Sequence, residues 1–273
     1  VRRRLIIGPI LGLGLILIFA ADAAWSQTTG AILMIPGLIL CVLVAREIAA
    51  LTGASAVKAG PLLLIVAACL GFLGQLGHIL APETPSLIAP LAAAMTVALA
   101  GLVHATRRDP RGAVAVLAAS ALAHIYPGIC LGMLVGMRKD LGAWMVFGIV
   151  AIAKLSDIAA MLTGMAIGKR KLVPWLSPGK TWEGFAGSLL AGAAIGLLIP
   201  LIEPAIGLLT SALIGFTIAL AAQVGDLLAS LLKRDAQVKD TGASVPGFGG
   251  YLDVVDSILL AAPVAMLWLL WMG

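Results

Sequence analysis

Residues 225–257 read GDLLASLLKRDAQVKDTGASVPGFGGYLDVVDS, and this stretch decides how the rest of the chain is read. It joins two apolar runs, 206–232 and 251–272. Each is long enough to cross a bilayer, for which about 20 mostly apolar residues suffice. Asp226, Asp253 and Asp256 lie inside or against these runs, with a charged, glycine-rich loop between them. An aspartate near the bilayer centre costs about 2.5–3.5 kcal/mol on insertion scales, so such residues call for a cation, a partner or water.

Seven further apolar runs precede these two, at roughly 4–21, 31–51, 60–81, 86–104, 112–136, 141–166 and 185–202. The pattern predicts an all-α, polytopic membrane protein of about nine transmembrane helices. Composition agrees: the 273 residues are 61% hydrophobic and 11% charged, against about 25% charged in soluble domains. No internal repeat is visible, so 1–273 reads as a single membrane domain. Its N-terminal helices occupy about 1–137, and its chemistry-bearing helices and loops about 141–273. The first run carries a basic head and an Ala-x-Ala at 21–23 that imitate a signal peptide. Its length and the spans that follow predict a retained helix.

The basic residues orient the bundle. With the N-terminus in the cytoplasm, that side and its flanks receive Arg2, Arg3, Arg4, Arg46, Lys58, Arg107, Arg108, Arg111, Lys169, Arg170, Lys171, Lys180, Lys233, Arg234 and Lys239. The outer side receives only Arg138 and Lys139, and Lys154 lies within a helix. This asymmetry predicts a C-terminus outside after nine crossings. It also accounts for the net charge of +5 without nucleic acid as a partner. Cys41, Cys69 and Cys130 sit in apolar runs without metal-ligand spacing and read as small core residues. His78, His104 and His124 are widely separated and read as packed or helix-end residues.

Chemistry therefore concentrates on the cytoplasmic side, in the loops 168–184 and 233–250. Asp253 and Asp256, spaced i, i+3, share a helical face, and Asp226 and Ser230 are spaced i, i+4. Oxygen ligands from two helices suit magnesium. The plainer alternatives are helix-end salt bridges to Lys154, Lys233 or Arg234, and a dipole role for Asp253 and Asp256 at a helix N-terminus. Lys169, Arg170, Lys171 and Lys180 in one loop and Lys233, Arg234 and Lys239 in the other face the same compartment. Carboxylate-held magnesium with Lys and Arg beside it is equipment for phosphoryl or nucleotidyl transfer. The turn PGFGG, with Gly247, Gly249 and Gly250, predicts a close approach of backbone amides to an anion at a helix N-terminus.

The segment from Ser230 to Asp256 resembles the signature of the phosphatidate cytidylyltransferase (CDP-diacylglycerol synthase) family, S-x-x-K-R-x4-K-D-x5-P-G-H-G-G-x-x-D-R-x-D. Ser230, Lys233, Arg234, Lys239, Asp240, Pro246, Gly247, Gly249, Gly250, Asp253 and Asp256 match at the right spacing. The segment from Ser156 to Gly184 is similar to a second block of that family, at Ser156, Asp157, Gly164, Gly168, Lys169, Pro174, Ser177, Pro178, Lys180, Thr181, Glu183 and Gly184, and QVGDL around Asp226 matches too. Two positions depart from the pattern, Phe248 in place of His and Val254 in place of Arg.

The resemblance implies transfer of CMP from CTP to phosphatidate, giving CDP-diacylglycerol and pyrophosphate in phospholipid biosynthesis. It implies Mg2+, with or without a second cation, held by Asp226, Asp253 and Asp256. Lys233, Arg234, Lys239 and Lys180 would neutralise phosphates, and Lys169, Ser177, Thr181 and Glu183 would shape or contact the substrate site, with Glu183 near metal or ribose as one option. It further implies a multi-pass protein of a bacterial inner or plasma membrane, with its site facing the cytoplasm, and a homodimer. Two other readings remain open at this stage. One is a related CTP-dependent enzyme with another lipid acceptor. The other is a cation-coupled secondary transporter, which also places acids within membrane helices.

Overall fold

The computed structural model describes residues 2–25, 31–54, 59–77 and 85–272. Lys58 and His78 lie outside the described residues, as do the side chains of Arg2, Arg3 and Arg4. The helices are α1 (Arg2–Trp25), α2 (Ala31–Ala54), α3 (Pro61–Gln75), α4 (Pro85–Ala105), α5 (Ala113–Gly136), α6 (Arg138–Ile167), α7 (Trp182–Gly196), α8 (Leu208–Asp235) and α9 (Tyr251–Met272). Eight are long and apolar enough to cross a membrane. Residues 78–81 of the expected third span lie outside the described residues, and the described part of it includes α3, of 15 residues. Its last residue, Gln75, gives way to a turn at Leu76.

Small residues set the helix spacing, as expected where lipid supplies no hydrophobic drive between helices. A Cβ on Gly71 of α3 would strike the carbonyl oxygen of His124, and one on Gly225 of α8 would strike that of Asp256 in α9. Within α5, residues His124–Ile129 form a π-helical stretch around Pro127. Proline lacks the N–H that an α-turn requires, and the wider turn accommodates it. The stretch turns Tyr126 toward α8, where its hydroxyl donates to the carbonyl of Gly225 at 3.2 Å. His124 is buried, with Nδ1 at 2.8 Å from the Thr96 hydroxyl and 3.1 Å from the Ala67 carbonyl. His104 is also buried, in the last turn of α4, and the three cysteines are free thiols within the bundle. These are the packed roles expected of them.

Two contacts pair helix ends. Arg138, expected in an outer loop, is instead buried and bonded through Nε to Asp22 at 2.5 Å. This joins the C-terminal end of α1 to the N-terminal end of α6. The C-terminal part of α2 meets the N-terminus of α9 through Glu47. Both pairings agree with helices that alternate in direction. Beyond Arg138, α6 is interrupted at Gly142, whose φ of 78° glycine adopts without strain.

The loop 168–184 is an antiparallel hairpin, β1 (Lys171–Val173) and β2 (Ser177–Thr181), pairing Lys171 with Thr181 and Val173 with Ser177. It ends directly in α7, three residues earlier than the apolar run predicts. Thr181 is the N-cap, its hydroxyl accepting from the Gly184 amide at 3.1 Å. Likewise α8 runs to Asp235, so Lys233 and Arg234 occupy its last turn, where cations complement the helix dipole.

Candidate active site

Helices α6, α7, α8 and α9 and the hairpin enclose a cavity of about 470 Å³. Its polar end is lined by Lys154, Asp157, Lys180, Gln223, Asp226, Asp253 and Asp256, and its apolar wall includes Met161, Met165, Leu172 and Phe185. Met161 and Met165 are also exposed on the surface of α6. The cavity thus has both a charged floor and a greasy flank.

Two polar networks make up the floor. In the first, Lys180 of β2 lies 2.9 Å from Asp226 Oδ2 and donates to Gln223 Oε1 at 3.0 Å. The Gln223 amide donates in turn to Asp157 Oδ1 at 3.0 Å and to the Ser188 hydroxyl at 3.1 Å. Lys154 sits between Asp157, at 3.9 Å, and Asp256, at 3.8 Å, and donates to the Ser257 hydroxyl at 2.6 Å. Three aspartates from three helices therefore share two lysines. The close passage of α8 and α9 at Gly225 brings Asp226 and Asp256 to one place.

The second network belongs to the 240–250 loop. Asp253 accepts from Lys233 Nζ at 2.6 Å through Oδ1. Its Oδ2 accepts from the Thr241 amide at 2.8 Å and the Gly250 amide at 2.9 Å, and lies 3.0 Å from the Thr241 hydroxyl. Asp253 and Asp256 line the same cavity, as their i, i+3 spacing predicts, but they serve different partners. Gly249 has φ of 100°, and a Cβ there would come 2.5 Å from Asp253 Oδ2, so this turn requires glycine. The sequence suggests that the amides at the start of α9 receive a phosphate. In the structure they are already engaged, with Gly250 N–H on Asp253 and Tyr251 and Leu252 N–H on Glu47.

Of the residues singled out in the sequence, Ser177, Lys180, Thr181, Asp226, Asp253 and Asp256 line the cavity. Lys233 reaches it through Asp253. Arg234 donates to the Leu176 carbonyl at 3.3 Å, tying α8 to the hairpin. Glu183 accepts from the amides of Lys169, at 3.1 Å, and Arg170, so it closes the base of the hairpin. The side chains of Lys169 and Lys239 are exposed, and Gly247 turns the 240–250 loop with φ of 85°. Both departures from the family signature have apolar neighbours. The Phe248 ring approaches Gly8 of α1, and Val254 packs on the core.

Sequence reasoning named Lys154 only as a salt-bridge partner and Gln223 only as part of QVGDL, and it missed Glu47. All three are polar residues inside apolar runs, and that rarity is the signal that marks them. Lys154 also stands one turn before Asp157, and Gln223 one turn before Asp226.

Among the described residues no three His, Cys, Asp or Glu side chains form a ready-made metal cage. The donor chemistry nevertheless fits a hard divalent cation. Asp157, Asp226 and Asp256 offer carboxylate oxygens to one cavity, and the two lysines among them occupy the place of positive charge.

The fold and this cavity define a polytopic membrane protein that gathers carboxylates and lysines beside an exposed apolar wall. Residues 2–272 match the model of the Cytidylyltransferase family, and the chain belongs to that family. It is 42% identical over 124 residues to "Uncharacterized protein YnbB" of Escherichia coli K12, covering 45% of this chain and 41% of that protein. It is 40% identical over 127 residues to a phosphatidate cytidylyltransferase of Mycobacterium leprae, covering 46% and 40%. With the Bacillus subtilis phosphatidate cytidylyltransferase it shares 38% over 148 residues, covering 52% and 54%. The matched segment thus spans between 40% and 54% of these relatives' own length.

Proposed function

We propose that this protein is a phosphatidate cytidylyltransferase, transferring CMP from CTP to phosphatidate and releasing pyrophosphate. The observation that carries the reading is the single cavity in which Asp157, Asp226 and Asp256 meet Lys154 and Lys180 beside an apolar flank. A phosphate oxygen of the lipid attacks the α-phosphorus of CTP. The bond from that phosphorus to the bridging oxygen breaks, and the pair leaves with pyrophosphate. The nucleophile is already ionised at neutral pH, so no strong general base is needed. The barrier is the meeting of two polyanions, which fixed positive charge relieves.

In this reading Lys180 and Lys154 turn from their aspartates toward phosphate oxygens when substrate enters. Gln223 orients Lys180, and Lys233 holds Asp253 in place. Asp226 and Asp256, with Asp157 or Asp253 beside them, would hold magnesium. Bound there, magnesium would polarise phosphate oxygens and offset the charge of the leaving group. Met161, Met165 and Phe185 would face the lipid, whose acyl chains stay in the bilayer; removing them would cost about 0.8 kcal/mol per CH₂. The positive-inside count supports a site on the cytoplasmic face of a bacterial cell membrane, where CTP is available. A homodimer is proposed on family resemblance alone. Release of pyrophosphate from CTP by purified protein tests the activity: phosphatidate should trigger it, and diacylglycerol should not. Release that ignores the lipid phosphate would defeat the proposal.

A further inference from the structure

Glu47 is a carboxylate on α2, 8% exposed, with no basic side chain within ion-pair distance among the described residues. A buried charge without a counter-ion is costly unless hydrogen bonds compensate it. Four do so here. Oε1 accepts from the Tyr251 amide at 2.8 Å and the Ser244 hydroxyl at 3.3 Å. Oε2 accepts from the Leu252 amide at 2.8 Å and the Thr241 hydroxyl at 2.7 Å. Two of these donors are the otherwise unpaired amides that open α9, where the helix dipole also favours an anion. Room for the carboxylate comes from Gly250, since a Cβ there would overlap both Glu47 Oε2 and the Thr241 hydroxyl.

We infer that Glu47 is a positioning residue for the candidate active site. It caps α9 from a helix of the N-terminal half and clamps the 241–250 loop onto it. The amides of Thr241 and Gly250, both beside Glu47, hold Asp253 together with Lys233, and Asp256 follows one turn along the capped helix. Asp253 and Asp256 thus take their places from a residue 204 positions before Tyr251, the first residue of α9. Sequence signatures confined to 230–256 omit this anchor. The inference deepens the cytidylyltransferase reading and, for its catalytic part, rests on it.

The test compares wild type with Glu47→Ala, Glu47→Asp and Glu47→Gln in detergent micelles, keeping only monodisperse protein. Hydrogen exchange should quicken about fivefold or more in peptides covering 241–253 of Glu47→Ala, with the hairpin 171–181 unchanged. The magnesium chloride concentration for half-maximal CMP transfer should rise about 10–100-fold, as for supports of metal ligands. Glu47→Gln keeps one acceptor oxygen, enough for one of the two amides, and should recover only part of the protection. Wild-type exchange in Glu47→Ala, or an unchanged magnesium requirement in the folded variant, would overturn the inference. If alanine prevents folding, Glu47→Asp, one methylene too short to reach, carries the same two readouts. If wild type transfers no CMP to any lipid phosphate, the activity reading fails by itself, and the exchange arm still decides the clamp.

Discussion

Replacing Lys180 with Met keeps the length of the side chain and removes its charge, which isolates what that charge contributes. In the structure the ammonium lies 2.9 Å from Asp226 Oδ2, with side-chain exposures of 16% for Lys180 and 33% for Asp226. At that distance the bare attraction is about 1.4 kcal/mol in bulk water and about 6 kcal/mol at an effective dielectric of about 20. Desolvation offsets much of the larger figure, and the exposure of Asp226 lets water screen it further. The expected loss of stability is about 1–2 kcal/mol. The loss in catalysis should be larger. If Lys180 meets charge that develops as pyrophosphate departs, its removal resembles the loss of an oxyanion donor, about 2.7–4 kcal/mol or 10²–10³ in rate. The assay is initial-rate CMP transfer from CTP to phosphatidate in mixed micelles, with thermal unfolding of the same preparation. A folded Lys180→Met protein with kcat/KM within threefold of wild type would refute the assigned role.

Other outcomes follow from the same geometry. Gly250→Ala should lower the unfolding temperature and abolish most transfer, because its Cβ overlaps Glu47 and Thr241; overpacking of this kind costs about 1–3 kcal/mol. Arg138→Met strands the buried Asp22 carboxylate and should destabilise the protein by about 3–5 kcal/mol. Specific activity per folded molecule should stay near wild type, because Arg138 lies at the opposite end of α6 from the cavity; thermal unfolding and transfer rates measured together separate the two effects. Asp253→Asn keeps the size of the side chain but weakens the bond from Lys233 and the bonds from Thr241 and Gly250. Transfer should fall at least about 100-fold with fold retained by circular dichroism. Chelation with EDTA should stop transfer, and magnesium chloride should restore it.

The helices were legible because an apolar run near 20 residues has few other uses. Of residues 60–81, read as a span by hydropathy, Pro61–Gln75 form α3, and 78–81 lie outside the described residues. The exceptions have physical reasons. The hairpin 171–181 was invisible because its strands are short, pair with a bulge and contain Pro178 and Gly179. Within the site, helical spacing placed Asp253 and Asp256 on one face. It did not reveal that Lys233 takes Asp253 while Lys154 lies near Asp256, since partners are set by helix packing. The glycines of PGFGG read as an anion cradle, and they do admit anions. Those anions are the protein's own Asp253 and Glu47, the latter supplied by a distant helix that no local pattern links to the loop. Arg138 looked like a loop charge because its counter-ion, Asp22, lies on another helix.

The most direct measurement of the central claim is transfer of label from [α-³²P]CTP into lipid by the purified protein, with phosphatidate as acceptor and with Asp226→Asn as control. The account predicts magnesium-dependent label in a product that migrates as CDP-diacylglycerol, absent with EDTA and nearly absent in the variant. Unlabelled lipid from well-folded wild type, across phosphatidate and other lipid phosphates, would contradict it.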